Sequence, residues 1–558
     1  MNRRELLQMS GLLAAGAIGP LSASAKVTGA GSPRLFDARD HGARGDGKAL
    51  DTTALNGTID ACNQAGGGVA YVGPGTYLCG TVVLKSNVTL YLEAGATLLG
   101  STKLSDYTEQ RGASGKGGGR HLIFAREAEN IGLAGPGLID GQGSKFWVPS
   151  GRVRPAPENA WRDVATYDWK PLPRPSPLLE FYNCRYLRIE DVRIENAPSW
   201  TLRPIQCNQV FIRGISIKNP VIGPNTDGLD LTCSQNVFVS DCMIDTGDDT
   251  ICLKSENPYS DEIPVSKNIT ITNCVLSSCC NGLKFGTATR GGFENITFSN
   301  SVIFNEDVSP AARTIAGIAV EMVDGGWVEG VVISNIRMQR VRTPIFIRRG
   351  ARRERSDGTP GTLRGVMIDN LHATGAILTS SITGLPGFEV EDVNLSNIRI
   401  DSDEAGPSEW ADLNVEEHAK GYPEARMFGR LPAAGLYCRH VRGMRARNVG
   451  FRFSPKEERP AVIFDDVRDG VISGLRTTPV HGVQSVVRLS QSKEIVVRDC
   501  VAPPSTTPYV YLDVRGDQTE HIVVMGNDLI FAKRMMRQAS DVPLGEVSLA
   551  GNAHKLSH

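Results

Sequence analysis

The chain has 558 residues, with 60 lysines and arginines against 61 aspartates and glutamates, and a pI near 6.8. That balance offers no basic field to hold nucleic acid or an anionic membrane surface, so neither partner is expected. Length alone suggests three or four domains. A hydrophobic content of 41% with 60 glycines equally suits a solenoid, which grows along one axis without a second core.

Residues 1–25 have the make-up of an export signal. Arg3 and Arg4 are paired, Leu12 to Ile18 is apolar but too short to span a bilayer, and Ala23-Ser24-Ala25 is a small-residue cleavage site. The paired arginines match a twin-arginine signal. The expected location is therefore periplasmic or secreted, with no membrane association in the mature form.

Past Lys26, Asp51 or Thr52 is placed to cap a helix over Ala54 to Gln64, with Leu55, Ile59 and Cys62 at helical spacing. Short apolar strands follow at Val69 to Val72, Val82 to Leu84 and Val88 to Leu92. A repeat then sets in: a polar or Asn-containing turn, a strand of alternating apolar residues, and another turn. Asn130-Ile131, Tyr186-Leu187-Arg188-Ile189, Asn236-Val237-Phe238-Val239, Asn268-Ile269-Thr270-Ile271, Asn295-Ile296-Thr297-Phe298 and His521-Ile522-Val523-Val524 are examples. Units this small cannot bury their own apolar faces and must stack. With no helix between strands, the expected fold is all-β, a right-handed parallel β-helix over residues 33–535, followed by a C-terminal tail at 536–558.

Twelve cysteines include no CxxC pair, and neither a disulfide framework nor a metal site is expected. Cys184, Cys242, Cys274 and Cys500 recur in one slot of the repeat, as small side chains stacked in the interior. Three segments break the rhythm: the glycine-rich 111–119, and insertions at about 148–177 and 405–434. Long insertions in a rod of coils wall one side of it.

Two short segments carry the chemistry. Asn225-Thr226-Asp227-Gly228 is followed, about one coil later, by Asp245-Thr246-Gly247-Asp248-Asp249. Rungs of a parallel sheet lie about 4.8 Å apart, so Asp227 comes close to Asp248 and Asp249. Crowded carboxylates cannot all ionise easily, which leaves a proton donor beside a base, and those are the two groups that glycoside hydrolysis needs. Strand side chains alternate between faces, so Asp248 and Asp249 reach one groove together only if Gly247 breaks the strand.

These motifs resemble glycoside hydrolase family 28, the polygalacturonases and rhamnogalacturonan hydrolases. The resemblance rests on Asn225 to Gly228, on Asp248-Asp249 before Ile251-Cys252-Leu253-Lys254, and on the opening from Phe36 to Gly47. It implies an inverting mechanism with Asp248 as general acid and Asp227 with Asp249 activating water. It also implies a pectic polysaccharide or oligosaccharide substrate.

The sequence departs from the family pattern at two places. Asn281 stands where the family has a histidine, and Ala319 and Glu321 stand where it has the arginine and lysine that grip a uronate carboxylate. Either the adjoining subsite takes a neutral sugar or a cation comes from elsewhere, with Lys254, Lys284, Arg348 and Arg349 as candidates. Asn225, Lys254, Asn281, Lys284, Glu321 and Arg348 are the expected substrate-binding set. No metal or cofactor is called for, and a monomer is expected. Two rival readings are a β-helix polysaccharide lyase using calcium and a non-catalytic carbohydrate-binding β-helix.

Overall fold

The computed structural model describes residues 34–111, 118–478 and 480–555. The export signal at 1–25, and most of the glycine-rich stretch at 111–119, lie outside the described residues.

Among the described residues, thirty-nine strands join in one sheet wound as a parallel β-helix. In each central coil the chain runs through three strands. Leu179–Tyr182, Arg185–Glu190 and Arg193–Glu195 make one such coil, and Leu202–Ile205, Asn208–Arg213 and Ser216–Lys218 stack on it in parallel register. Alternate side chains point inward and line up along the axis. One such file runs through Leu231, Leu253, Phe285, Val320 and Ile347, paired rung to rung and almost fully buried. Each buried side chain of this kind contributes about 1.5–3 kcal/mol, and none could be covered by its own coil.

The recurring asparagines have a conformational cause. Asn236, Asn268 and Asn295 sit at φ of 54°, 55° and 53°, a left-handed region that asparagine tolerates better than most residues. Their side chains hydrogen-bond from rung to rung, Asn268 to Asn236 at 3.0 Å and Asn295 to Asn268 at 3.3 Å.

The helix Thr52–Gln64 caps the first coils with Leu55, Ile59 and Cys62 buried. Asp51 precedes it but gives its N-terminus no side-chain hydrogen bond; its carboxylate accepts from the amides of Arg44 and Gly45 instead. All twelve cysteines are free and eleven are buried. Those in the repeated slot donate to the carbonyl two residues back, as Cys242 does to Ser240 and Cys274 to Thr272.

The coil stacking continues beyond residue 535. Arg534–Gln538 pairs with Val510–Arg515, and Val547–Ala550 pairs with Glu520–Met525. Much of the stretch expected as a tail at 536–558 is thus the last coil. Its side chains are largely exposed, Leu549 among them, so this rung lacks the buried apolar file of the central coils.

Candidate active site

The two aspartate motifs occupy equivalent turns, each between the last strand of one coil and the first strand of the next. Asp248 and Asp249 fall after Met243–Thr246 and before Ile251–Ser255, outside strand geometry. A side chain at Gly247 would meet the Gly223 carbonyl at 2.6 Å and the Thr226 hydroxyl at 2.7 Å, so only glycine lets the turns nest. The Gly247 amide donates to Thr226 Oγ1 at 3.1 Å.

Stacking fixes the alignment. The Gly228 amide donates to the Asp249 carbonyl, and the Thr250 amide to the Asn281 carbonyl, both at 2.9 Å. Asp227, Asp249 and Asn281 therefore form a file over three rungs. A carboxylate oxygen of Asp227, one of Asp249 and the Cys252 sulfur lie within 4.8 Å of one another. Asp249 is held by Asn281, whose Nδ2 donates to Oδ1 at 2.6 Å, and by Lys284 Nζ at 3.1 Å from Oδ2. Asp227 is held by Lys254 Nζ at 3.2 Å, and the same ammonium binds Asp230. The two lysines supply counter-charge to the pair.

Asp230 was not singled out by the motif reading. It is fully buried and projects from the strand Leu229–Thr232 on the same face as Lys254. The signal was available: Leu229 and Leu231 alternate inward, which leaves Asp230 facing outward beside the site.

Asp248 differs from its neighbours. It is half-buried and lines a cavity of about 620 Å³, whereas Asp227 and Asp249 are buried beneath it. Burial, then the charge of Asp249, push its carboxyl up to about 6. Burial also raises Asp227 well above the usual range, with Lys254 opposing and the other carboxylates adding to the rise. Glu321 sits one rung past Lys284, 3.8 Å from its ammonium, and burial pushes it up to about 8.

The cavity walls come from the insertions. Tyr167, Trp169 and Lys170 line it from the first and Tyr422 and Glu424 from the second, together with Asn225, Asn281 and Lys284 of the coils. The insertions lock together on the sheet just past the aspartate rungs. Val164 and Ala165 pack with Ala425 over Ala319 and Phe346, outward-facing residues with no exposed surface. Arg342 donates to the Trp161 and Asp163 carbonyls, and Arg426 to the Arg162 carbonyl. Trp161 and Trp410 stand against the guanidinium of Arg430 and away from the cavity.

The structure brings together seven of the eight site residues other than Arg348: Asn225, Asp227, Asp248, Asp249, Lys254, Asn281 and Lys284, with Glu321 directly behind Lys284. Arg348 is the exception. It is 1% exposed, and its guanidinium donates to the Gly384 and Glu417 carbonyls, beneath Phe428 and outside the cavity. Its neighbour Arg349 is likewise spent on the Gly361 and Glu389 carbonyls. Both arginines anchor loop backbone, which sequence spacing cannot distinguish from facing a ligand.

Comparison with known proteins bears directly on this geometry. The Glycosyl hydrolases family 28 profile matches residues 62–420. The chain belongs to that family. This family 28 protein is 24% identical over 404 residues to a probable polygalacturonase of Vitis vinifera, covering 68% of this chain and 77% of that one. It is 27% identical over 344 residues to an exo-poly-alpha-D-galacturonosidase of Dickeya chrysanthemi, covering 55% and 56%. Among solved structures, an exopolygalacturonase from Thermotoga maritima superposes with a TM-score of 0.55 at 25% identity, over 66% of this chain and 87% of that one. The family 28 chain is thus a glycosidase on a parallel β-helix. Among the described residues no helix is long and apolar enough to cross a membrane.

Proposed function

We propose that this family 28 protein removes sugars from the ends of pectic chains by inverting hydrolysis. The observation that carries the reading is the position of Asp248: a half-buried carboxyl at the floor of a cavity, above the stacked pair Asp227 and Asp249. Below pH 6 its raised pKa keeps a proton available for the leaving oxygen. Asp249, oriented by Asn281 and Lys284, and Asp227, held beside it by Lys254, draw the proton from the attacking water.

End-on action is supported by the covered sheet. Past the catalytic rungs the interlocked insertions bury Ala319 and Phe346. Before them Glu180 is fully buried, bound to Arg203 and Tyr259. These buried positions on either side of the aspartate rungs suit a chain end entering the pocket better than a chain lying through it. The relatives that act as exopolygalacturonases agree with this. We further read the protein as a monomer exported through a twin-arginine signal at residues 1–25.

The test is digestion of homogalacturonan, rhamnogalacturonan and their oligosaccharides, with products sized over time and the fresh anomer followed by NMR. Single sugars or a fixed small unit from the first minutes, with inverted configuration, are expected. An early ladder of mid-length products would overturn end-on action, and retained configuration would overturn the assignment of bases.

A further inference from the structure

The catalytic cavity is electrically lopsided. Its floor is acidic: Asp248 lies in it, with Asp227, Asp249 and Glu321 just beneath. The sheet position at which the family pattern would place a lysine grip holds Glu321, a carboxylate whose two oxygens have no hydrogen-bond donor. The two ammoniums at this floor, Lys254 and Lys284, are already engaged by Asp227, Asp230 and Asp249, so a uronate carboxylate entering the cavity has to find its partner elsewhere on the lining.

Three cations line the cavity: Arg152, Lys170 and Lys284. Two are already engaged. Arg152 binds Asp163 at 2.6 Å and Asp168 at 3.1 Å, and Lys284 is held between Asp249 and Glu321. Arg174, nearby, is committed to the Pro224 carbonyl and to Asn225 Oδ1, each at 3.1 Å. The Lys170 ammonium makes no hydrogen bond or ion pair among the described residues.

Lys170 is also held in place. It is the middle residue of Trp169–Pro171, which pairs antiparallel with Trp147–Pro149. That hairpin is pinned to the solenoid by Trp147 Nε1 donating to the Pro198 carbonyl at 2.9 Å. The paired strand fixes the Lys170 backbone at the cavity lining, and its flexible four-carbon stem carries the ammonium to a ligand there.

We propose that Lys170 is the uronate-recognising residue of this enzyme, taking over from the insertion wall the carboxylate contact that the sheet no longer provides. The ligand class is a terminal sugar carrying a free carboxylate, such as galacturonate, in preference to its methyl ester or to a neutral sugar. This inference rests on the end-acting hydrolase reading above.

The test compares the wild type, Lys170→Ala and Lys170→Arg on trigalacturonate and on its methyl ester. Binding of both sugars is titrated separately in Asp248→Asn forms of each. A charge-assisted contact of this kind predicts a rise of about tenfold in KM and Kd for the acid in Lys170→Ala. Values of kcat should stay within about twofold, the ester should bind equally to all three, and Lys170→Arg should recover most of the affinity. Equal binding of the acid by wild type and Lys170→Ala would overturn the proposal, as would equal losses for acid and ester. A wild type that turns over no pectic oligosaccharide would instead overturn the hydrolase reading. The two failures are separable, since the titrations decide Lys170 without turnover.

Discussion

Asn281 donates from Nδ2 to Oδ1 of Asp249 at 2.6 Å, from the rung directly after it. The donor is a neutral amide, which brings no titrating proton of its own to the pair. It also fixes which face Asp249 turns toward the cavity. Removing it in Asn281→Ala leaves a buried carboxylate oxygen short of one donor, a loss of about 1–3 kcal/mol. The expected result is a fall in kcat of roughly ten- to a hundredfold with KM little changed, read from initial rates on a pectic oligosaccharide.

Asp248→Asn should abolish turnover almost completely, by about 10²–10⁴-fold for loss of a general acid, while binding survives. The stability effect has the opposite sign. A carboxyl raised to about 6 in the folded protein favours folding while it is protonated and loses that contribution as pH rises from the ordinary aspartate value through 6. The variant should therefore melt higher than the wild type at pH 7.5 and similarly at pH 4, by calorimetry at both pH values.

The same carboxyl is expected to set the alkaline side of the rate profile. Activity on free substrate, as kcat/KM, should decline above pH 6 as Asp248 loses its proton. Lys284 lowers the pKa of Asp248, so Lys284→Met should move that limb upward by roughly one pH unit while lowering the maximum through loss of its contact with Asp249. A limb that stays put would mean that another group titrates there.

Arg342 tests the coupling between the insertions and the solenoid. It is fully buried and gives hydrogen bonds to the carbonyls of Trp161, Asp163, Ala311 and Arg313. Arg342→Ala strands four acceptors, so the insertion at 148–177 should become susceptible to limited proteolysis, and KM should rise more than kcat falls.

Arg348→Ala should do the reverse of what a substrate-gripping residue would. With its guanidinium spent on Gly384 and Glu417, the variant should lose thermal stability and leave KM for a carboxylated substrate unchanged.

Much of the site was readable because a solenoid converts spacing into proximity. Asp227 and Asp248 stand 21 residues apart, about one coil, and in a stacked coil that alone brings them together. The refinement is that Asp249, not Asp248, lies directly under Asp227, so that Asp248 is the one free to face the cavity. Arg348 went the other way. Its rung was right, but a long side chain on an outward position can bend back onto loop carbonyls, and nothing in the local sequence records that choice.

The sequence by itself determined the coil, the interior files and the aspartate turns, because each follows from alternation and repeat length within a few tens of residues. Only the tertiary structure decided the shape and polarity of the pocket. Those depend on insertions separated by more than two hundred residues, in which Arg426 reaches the Arg162 carbonyl and Tyr422 and Lys170 line one cavity. Contacts between irregular loops carry no period that could announce them.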